Sequence, residues 1–419
     1  MVKSIVLLSS VLAGAFWLVG CGNEPEVEGR DYVRSWLRRP AQDGIVHFVS
    51  GDTVHVSDAA RDFYRKRRWR AAWTQGHDDL LEQGWRLYGA IGRAHEDGLS
   101  RERYRFDVME KLQAKLKAEG DNELSDSVKV AYLAALDVLL TEGFTRYAND
   151  LVAGTLDPHE AGVDWRIPRG EAIQERVLGG LMSGMTPSQV VARLRPSIPH
   201  YERMRGALIE YYHAAARGGW PMVPTDAALQ PGARNRGVSI LRTRLLVGLD
   251  PTEAALAQRG AADPLYFDAD LERAVEHFQE RHSIEPDGAV GEGTLRELNH
   301  SVETRIDELK LNLDRWRWLP RELGHRYIVV NVAGFELEMI EDGWPVVAMN
   351  VVVGKEGWNT PIFADTMESL IVNPSWNVPE SIARGEVLPA LLRDPGYLDA
   401  HHFDVVKGER VVPVASVDL

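Results

Sequence analysis

The spacing of apolar residues changes at Pro320, and that change limits the fold more than any single motif does. Upstream the period is helical. Leu271, Ala274, Val275 and Phe278 follow i, i+3, i+4, i+7, and Val302, Ile306, Leu309 and Leu313 continue the same spacing in a connecting helix. Val130 to Leu140 is an apolar-rich helix that runs into Thr141-Glu142-Gly143-Phe144. Downstream the period is two. Tyr327 to Val332 is a β-rich run, and Phe335, Leu337 and Met339 alternate with Glu336 and Glu338, which predicts one buried and one wet face. Asp342-Gly343 is a hairpin turn, Val346 to Val353 the return strand, and Leu370-Ile371-Val372 a further strand. The expected class is α+β and multidomain: helices first, then a mostly antiparallel β unit.

Turn and cap signals divide the helical part. Ala90, Ile91 and Ala94 lead to a stop at Gly98, and Thr186-Pro187-Ser188 reads as a helix start with Pro in the first turn. Tyr201 to Tyr212 reads as a helix closed by Gly218-Gly219-Trp220-Pro221. Asp268 or Asp270 can cap the helix at Leu271, Pro286-Asp287-Gly288 is a turn, and Thr294, Leu295 and Leu298 begin a third short helix. The 419 residues suffice for two or three domains, and a net charge of −14 argues against a general nucleic-acid binder. Arg65-Lys66-Arg67-Arg68 is read as a solvated helix face.

Lys3 followed by an apolar run from Ile5 to Val19 has the form of a signal peptide and is too short for a comfortable transmembrane helix. Leu18-Val19-Gly20-Cys21 resembles a bacterial lipobox, which implies lipidation of Cys21 and cleavage before it; Gly22 resembles the sorting position of outer-membrane lipoproteins. Cys21 is the only cysteine, so no disulfide or thiolate-ligated metal cluster can be built.

Three regions carry family resemblances. Ala274-Val275, Phe278-Gln279, Arg281, Pro286-Asp287-Gly288, Gly291, Thr294 and Leu298-Asn299 resemble a three-helix peptidoglycan-binding domain. Ile328 to Asn331, Val351-Val352-Val353-Gly354-Lys355, Thr360-Pro361, Asn373-Pro374-Ser375-Trp376-Asn377-Val378-Pro379, Glu386, Leu388-Pro389 and Asp394 to Leu398 resemble the start of a YkuD-like murein L,D-transpeptidase domain. Leu139-Leu140-Thr141, Arg146-Tyr147-Ala148, Gly154 and Leu156-Asp157-Pro158 fit the large, scaffold-containing branch of that family. The resemblance implies a signal peptide at 1–20, a lipidated tether with a first docking segment over 21–57, an α-helical scaffold at 58–231, a peptidoglycan-binding domain at 232–300, a linker helix at 301–325 and an incomplete catalytic domain at 326–419.

The family's reaction is cysteine acyl transfer between peptidoglycan stem peptides, with a histidine as base and backbone N–H groups holding the oxyanion. Its His-Gly-Cys motif is absent here, so no catalytic residue is carried over. His401-His402 is read as a surface loop, and Trp376 is a candidate wall of the substrate groove. No metal or organic cofactor is implied. The expected partners are peptidoglycan glycan strands and stem peptides, plus a membrane through the lipid anchor, without nucleic acid. The expected location is the bacterial cell envelope, at the outer membrane facing the periplasm. The main reading is the amino-terminal portion of an L,D-transpeptidase. The alternatives are a non-enzymatic peptidoglycan-binding outer-membrane lipoprotein and a pseudo-enzyme that partners an active transpeptidase.

Overall fold

Apolar side chains around the whole circumference of one long helix decide the architecture of the first region. The computed structural model describes residues 29–38, 45–48, 50–75, 79–118, 125–160, 164–167, 173–259, 263–321, 323–355, 357, 359–408 and 410–416. The expected signal peptide and Cys21 lie outside the described residues. The chain divides into two compact units, Met1–Phe363 and Ala364–Leu419.

In the first unit, α1 (Gly29–Arg38), α2 (Asp58–Lys66), α3 (Glu82–Gly92) and α4 (Phe106–Lys117) precede α5 (Asp126–Ala153), a helix of 28 residues. Val130, Ala131, Leu133, Ala135, Leu136, Val138, Leu139 and Phe144 are all buried, and they project on every side of α5, as a central core helix requires. The helix read over Val130–Leu140 is thus one part of a longer element. The four earlier helices pack around it, together with α6 (Gln174–Met182) and α7 (Pro187–Leu194). Thr186 and Gln189 close a capping box on α7 with Pro187 in its first turn, as the sequence predicts. Part of the expected tether is folded: Val33 and Leu37 of α1, and Val46 and Val54 of the hairpin β1 (Ile45–His47) and β2 (Thr53–His55), belong to the same core. A small second hairpin, β3 (Thr74–Gln75) with β4 (Asp79–Leu80), leads into α3.

Next comes α8 (Pro199–Ala216). After it, α9 (Arg236–Val247), α10 (Pro251–Arg259), α11 (Ala269–Arg281) and α12 (Glu292–Leu298) enclose a separate core of Val238, Leu241, Leu245, Phe267, Leu271, Ala274, Val275, Phe278 and Leu298. The chain then returns: α13 (Val302–Arg317) packs along α8, burying Tyr201, Leu208, Val302, Ile306 and Leu313. The helical module is therefore an insertion between two helices that pack on each other. Its two ends meet where Trp220 Nε1 donates to the His300 carbonyl at 2.8 Å.

Buried charges lock α13 to the scaffold. Asp97, fully buried, accepts from Arg195 Nε at 2.7 Å, Arg205 Nε at 3.0 Å and Tyr147 OH at 2.6 Å, while Arg317 donates to the Asp97 carbonyl. Asp314 accepts from the Thr155 and Leu156 amides at 2.8 and 3.0 Å. Gly154, which ends α5 at φ 74°, has no room for a side chain: a Cβ would lie 2.6 Å from Trp318 Nε1. Burial alone would raise the Asp97 pKa, but hydrogen bonds and charges from Arg195, Tyr147 and Arg205 outweigh it and hold the carboxyl below its usual range. A carboxyl depressed in the folded state stabilises above its unfolded pKa, and that contribution is lost as the pH falls through the folded value. Asp97→Asn should cost about 3 kcal/mol at pH 7, the scale for breaking one side of a buried ion pair. The gap between variant and parent should begin to shrink below about pH 4, where the unfolded carboxyl takes up a proton and the folded one does not yet. Urea titrations at pH 7 and pH 3 check this, and a gap of equal size at both would contradict it.

After α13 the strands β5 (Arg326–Asn331), β6 (Glu336–Glu341) and β7 (Trp344–Asn350) form an antiparallel sheet in the order β5-β6-β7. Asp342 and Gly343 both have positive φ, 50° and 84°, as the hairpin turn predicts. The wet and dry faces differ from the alternation read in the sequence. Phe335 is 57% exposed, whereas Ile340 is buried and Glu338 reaches His200 Nε2 of α8 at 3.2 Å. A register irregularity at Met339/Ile340 accompanies this contact, and the Glu338 side faces the scaffold.

In the second unit, a helical stretch over 380–393 is followed by a short helix at Tyr397–Ala400 and the hairpin β8 (Val406–Lys407) with β9 (Arg410–Val411). Leu370, Ile371 and Val372 do not form the predicted strand. They are 82%, 71% and 77% exposed and pair with nothing in a ladder, so their β-prone side chains lack the neighbour that would make them a strand.

Candidate functional site

The inserted module is held by polar side chains whose types were legible and whose partners were not. Asp268, not Asp270, caps α11, accepting from the Leu271 amide at 2.9 Å; its other oxygen receives Arg242 Nη2 at 2.8 Å. Gln279 is buried. Its Nε2 donates to Asp287 Oδ1, the Ala289 carbonyl and Thr294 Oγ1, and its Oε1 accepts from the Gly288 amide at 3.0 Å. That single amide shapes the Pro286-Asp287-Gly288 turn, where Gly288 has φ 70° and a Cβ would meet Glu272 Cγ at 2.8 Å. Asn299 then clamps the module to residue 223, accepting from the Val223 amide at 2.7 Å and donating to its carbonyl at 2.9 Å.

Asp250, Glu253 and His277 bring ligand-type atoms within 4.8 Å of one another. Arg281 Nε already occupies the group, 2.7 Å from Glu253 Oε1 and 3.5 Å from Asp250 Oδ2. Asp250 also caps α10 through the Thr252 and Glu253 amides. The cluster is an ion pair that fastens α10 to α11 rather than a cation cage.

The strand region after α13 is tied to the scaffold at several points. His200 stacks on Trp316 at 5.6 Å, and the Ile362 and Arg166 backbones bond across a parallel bridge at Trp165. Trp165 in turn meets Trp318 edge-on at 5.3 Å. Gly354 N donates to Thr360 Oγ1 at 2.8 Å, joining the Val353-Gly354-Lys355 and Thr360-Pro361 segments that carried the resemblance. Apolar surface remains uncovered here: every residue of β7 is exposed, including Trp344 at 76%.

Trp376, the candidate groove residue, lies in the second unit in non-regular backbone and is exposed, with its neighbour Asn373 in a left-handed conformation at φ 52°. His401 Nδ1 contacts the Tyr397 carbonyl at 2.8 Å and its ring stacks on Tyr397; His402 is exposed with φ 57°. Among the described residues neither histidine has a thiol beside it. Among the described residues no helix is long and apolar enough to cross a membrane.

Sequence reading missed the buried acids Asp97, Asp137 and Asp314, and it missed Arg244. Each is a common polar residue on a helix, and only its packing distinguishes it.

Comparison with known proteins assigns these regions. Residues 58–208 match the family described as a scaffold domain, 253–298 the family described as "Putative peptidoglycan binding domain", and 325–416 the L,D-transpeptidase catalytic domain. A Haemophilus influenzae protein named "Putative L,D-transpeptidase" is 31% identical over 120 residues, which is 28% of this chain and 24% of that protein. The match thus spans about a quarter of that relative's length. The chain therefore carries an L,D-transpeptidase catalytic-domain region, a peptidoglycan-binding domain and a scaffold domain, and it is a protein of the cell envelope by its domains.

Proposed function

We propose that this chain binds peptidoglycan through the inserted module and presents the strands of an L,D-transpeptidase catalytic domain to the stem peptides of the bound wall. One observation carries the reading. The module is inserted between α8 and α13, and α13 leads directly into β5, so binding module and catalytic strands are mounted on one rigid helix pair. The reaction, cysteine acyl transfer between stems, needs a thiol that residues 22–419 do not contain. In this reading the thiol belongs to polypeptide outside these residues, which would also cover the apolar strand β7. Trp376 is then a groove wall, and Cys21 carries the lipid that anchors the protein at the outer membrane. Acyl chains stabilise such anchoring by about 0.8 kcal/mol per buried CH₂. The match of 325–416 to a catalytic domain favours this reading over a binding-only lipoprotein.

The test is retention on purified sacculi. Because Trp220 and His300 touch, residues 223–299 can be excised and the ends rejoined by a short linker. The protein without its leader should co-sediment with sacculi, and the excised form should lose at least about 90% of that retention, the loss that a tenfold weaker affinity gives at limiting wall. Equal retention of both forms would refute the assignment of binding to the module.

A further inference from the structure

Arg244 of α9 differs from the other buried arginines. Arg242 pairs with Asp268 and Arg317 with Asp314. Arg244 is only 5% exposed, yet among the described residues it makes no ion pair. Its Nε donates to the Leu298 carbonyl at 2.8 Å, its guanidinium lies 4.2 Å from the Trp220 ring centroid, and neither Nη group has a hydrogen-bond partner among the described residues. Tyr211 packs edge-on against Trp220 at 5.7 Å. Gly248 leaves room at Nη1, where a Cβ would approach to 3.0 Å. Burial pulls the Arg244 pKa down to about 10, Tyr211 and Glu253 oppose that fall, and Arg305 and Arg281 add to it, so the group remains charged at neutral pH.

A desolvated cation with a satisfied Nε, an aromatic floor and two open Nη groups is an incomplete fork for an oxyanion. The cation–π contact fixes the guanidinium plane but leaves its charge uncompensated. Arg281 and Arg305 are paired with Glu253 and Glu297, so these neighbouring acids are taken up by other arginines rather than by Arg244.

We propose that Arg244, seated on Trp220 at the junction of the inserted module with the α8–α13 pair, is a binding site for a carboxylate of a peptidoglycan stem peptide. This rests on the peptidoglycan-binding reading above and specifies it: the module recognises the peptide as well as the glycan, through an anion subsite that faces the joint with the scaffold.

The experiment titrates the leaderless protein with a free tetrapeptide stem and with the same peptide carrying all its carboxyl groups as amides, by calorimetry, beside the sacculus assay. The free acid should bind at least tenfold more tightly than the amide. Arg244→Lys keeps the charge but loses the planar fork, and it should weaken the acid at least tenfold while leaving the amide unchanged; Arg244→Gln should do the same, with melting curves reported for both. Equal affinity of wild-type protein for acid and amide overturns the proposal whatever the variants do. So does undiminished binding by a variant that melts like the parent. Sacculus retention without any binding of the free stem overturns this subsite alone, whereas loss of sacculus retention by the wild-type protein overturns the peptidoglycan-binding reading as well.

Discussion

Asp137→Ala is expected to destabilise the first unit by about 4 kcal/mol or more, an effect beyond the usual range for one substitution. Asp137 is fully buried on α5, and among the described residues no basic side chain forms an ion pair with it. Its two oxygens instead accept from the Ala72 amide at 3.0 Å, the Trp73 amide at 2.6 Å, the Thr74 amide at 2.9 Å, the Thr74 hydroxyl at 3.1 Å and the Tyr64 hydroxyl at 2.6 Å. The carboxylate thereby fixes the turn that leads from α2 to β3 and places Trp73, which stacks on Phe63 and donates to Thr141. Alanine would strand three backbone donors in the core, and each buried unsatisfied donor costs about 1–3 kcal/mol. Asp137→Asn keeps the shape and one acceptor oxygen but points an amide group at other donors, so it should cost about half as much. A domain of this size has roughly 5–15 kcal/mol in total, so the alanine variant should show loss of near-ultraviolet dichroism at much lower urea. A shift worth under about 1 kcal/mol would mean that water replaces the carboxylate.

The helices, their caps and the strand region were legible because each rests on local signals. Thr186-Pro187, Asp268 and Asp342-Gly343 act within a few residues of where they stand, and the structure uses each as its chemistry suggests. What escaped depends on partners far along the chain. Asp137 serves residues more than sixty positions away, and Asp314 serves Thr155 from 159 positions away. A carboxylate inside an apolar helix reads as a wet position until its donors are known. The inversion at Glu338 is of the same kind, since its partner His200 also lies far along the chain. The predicted strand at 370–372 shows the opposite case: β-prone residues without a strand beside them remain uncommitted. The resemblance gave the domains and their order. It did not reveal that α13 turns back to pack along α8, which makes the binding module an insertion.

The protein of residues 22–419 is expected to show no L,D-transpeptidase activity, a deficit of roughly six orders of magnitude against an enzyme that retains its nucleophile. Groups that position substrate or hold an oxyanion stabilise an attack that they do not themselves perform, so without a nucleophile no acyl-enzyme forms. Hydroxyl groups do not substitute for the thiol here: none of the serines begins a Ser-x-x-Lys or lies in Gly-x-Ser-x-Gly. His401, the described histidine stacked on Tyr397, has no thiol to deprotonate. The assay incubates the leaderless protein with a tetrapeptide donor and a stem-peptide amine acceptor and follows both the cross-linked product and any acyl adduct on the protein by mass spectrometry. Neither should form above the protein-free control. A cross-linked product from these residues alone would show that another side chain performs the attack, and the mass and position of its acyl adduct would identify it. The same preparation should still co-sediment with sacculi, because the module proposed to bind the wall folds around the core of Leu271, Val275 and Phe278 and needs no thiol. Inactive protein that binds the wall would thus separate the two halves of the proposed function, placing recognition in these residues and the nucleophile outside them.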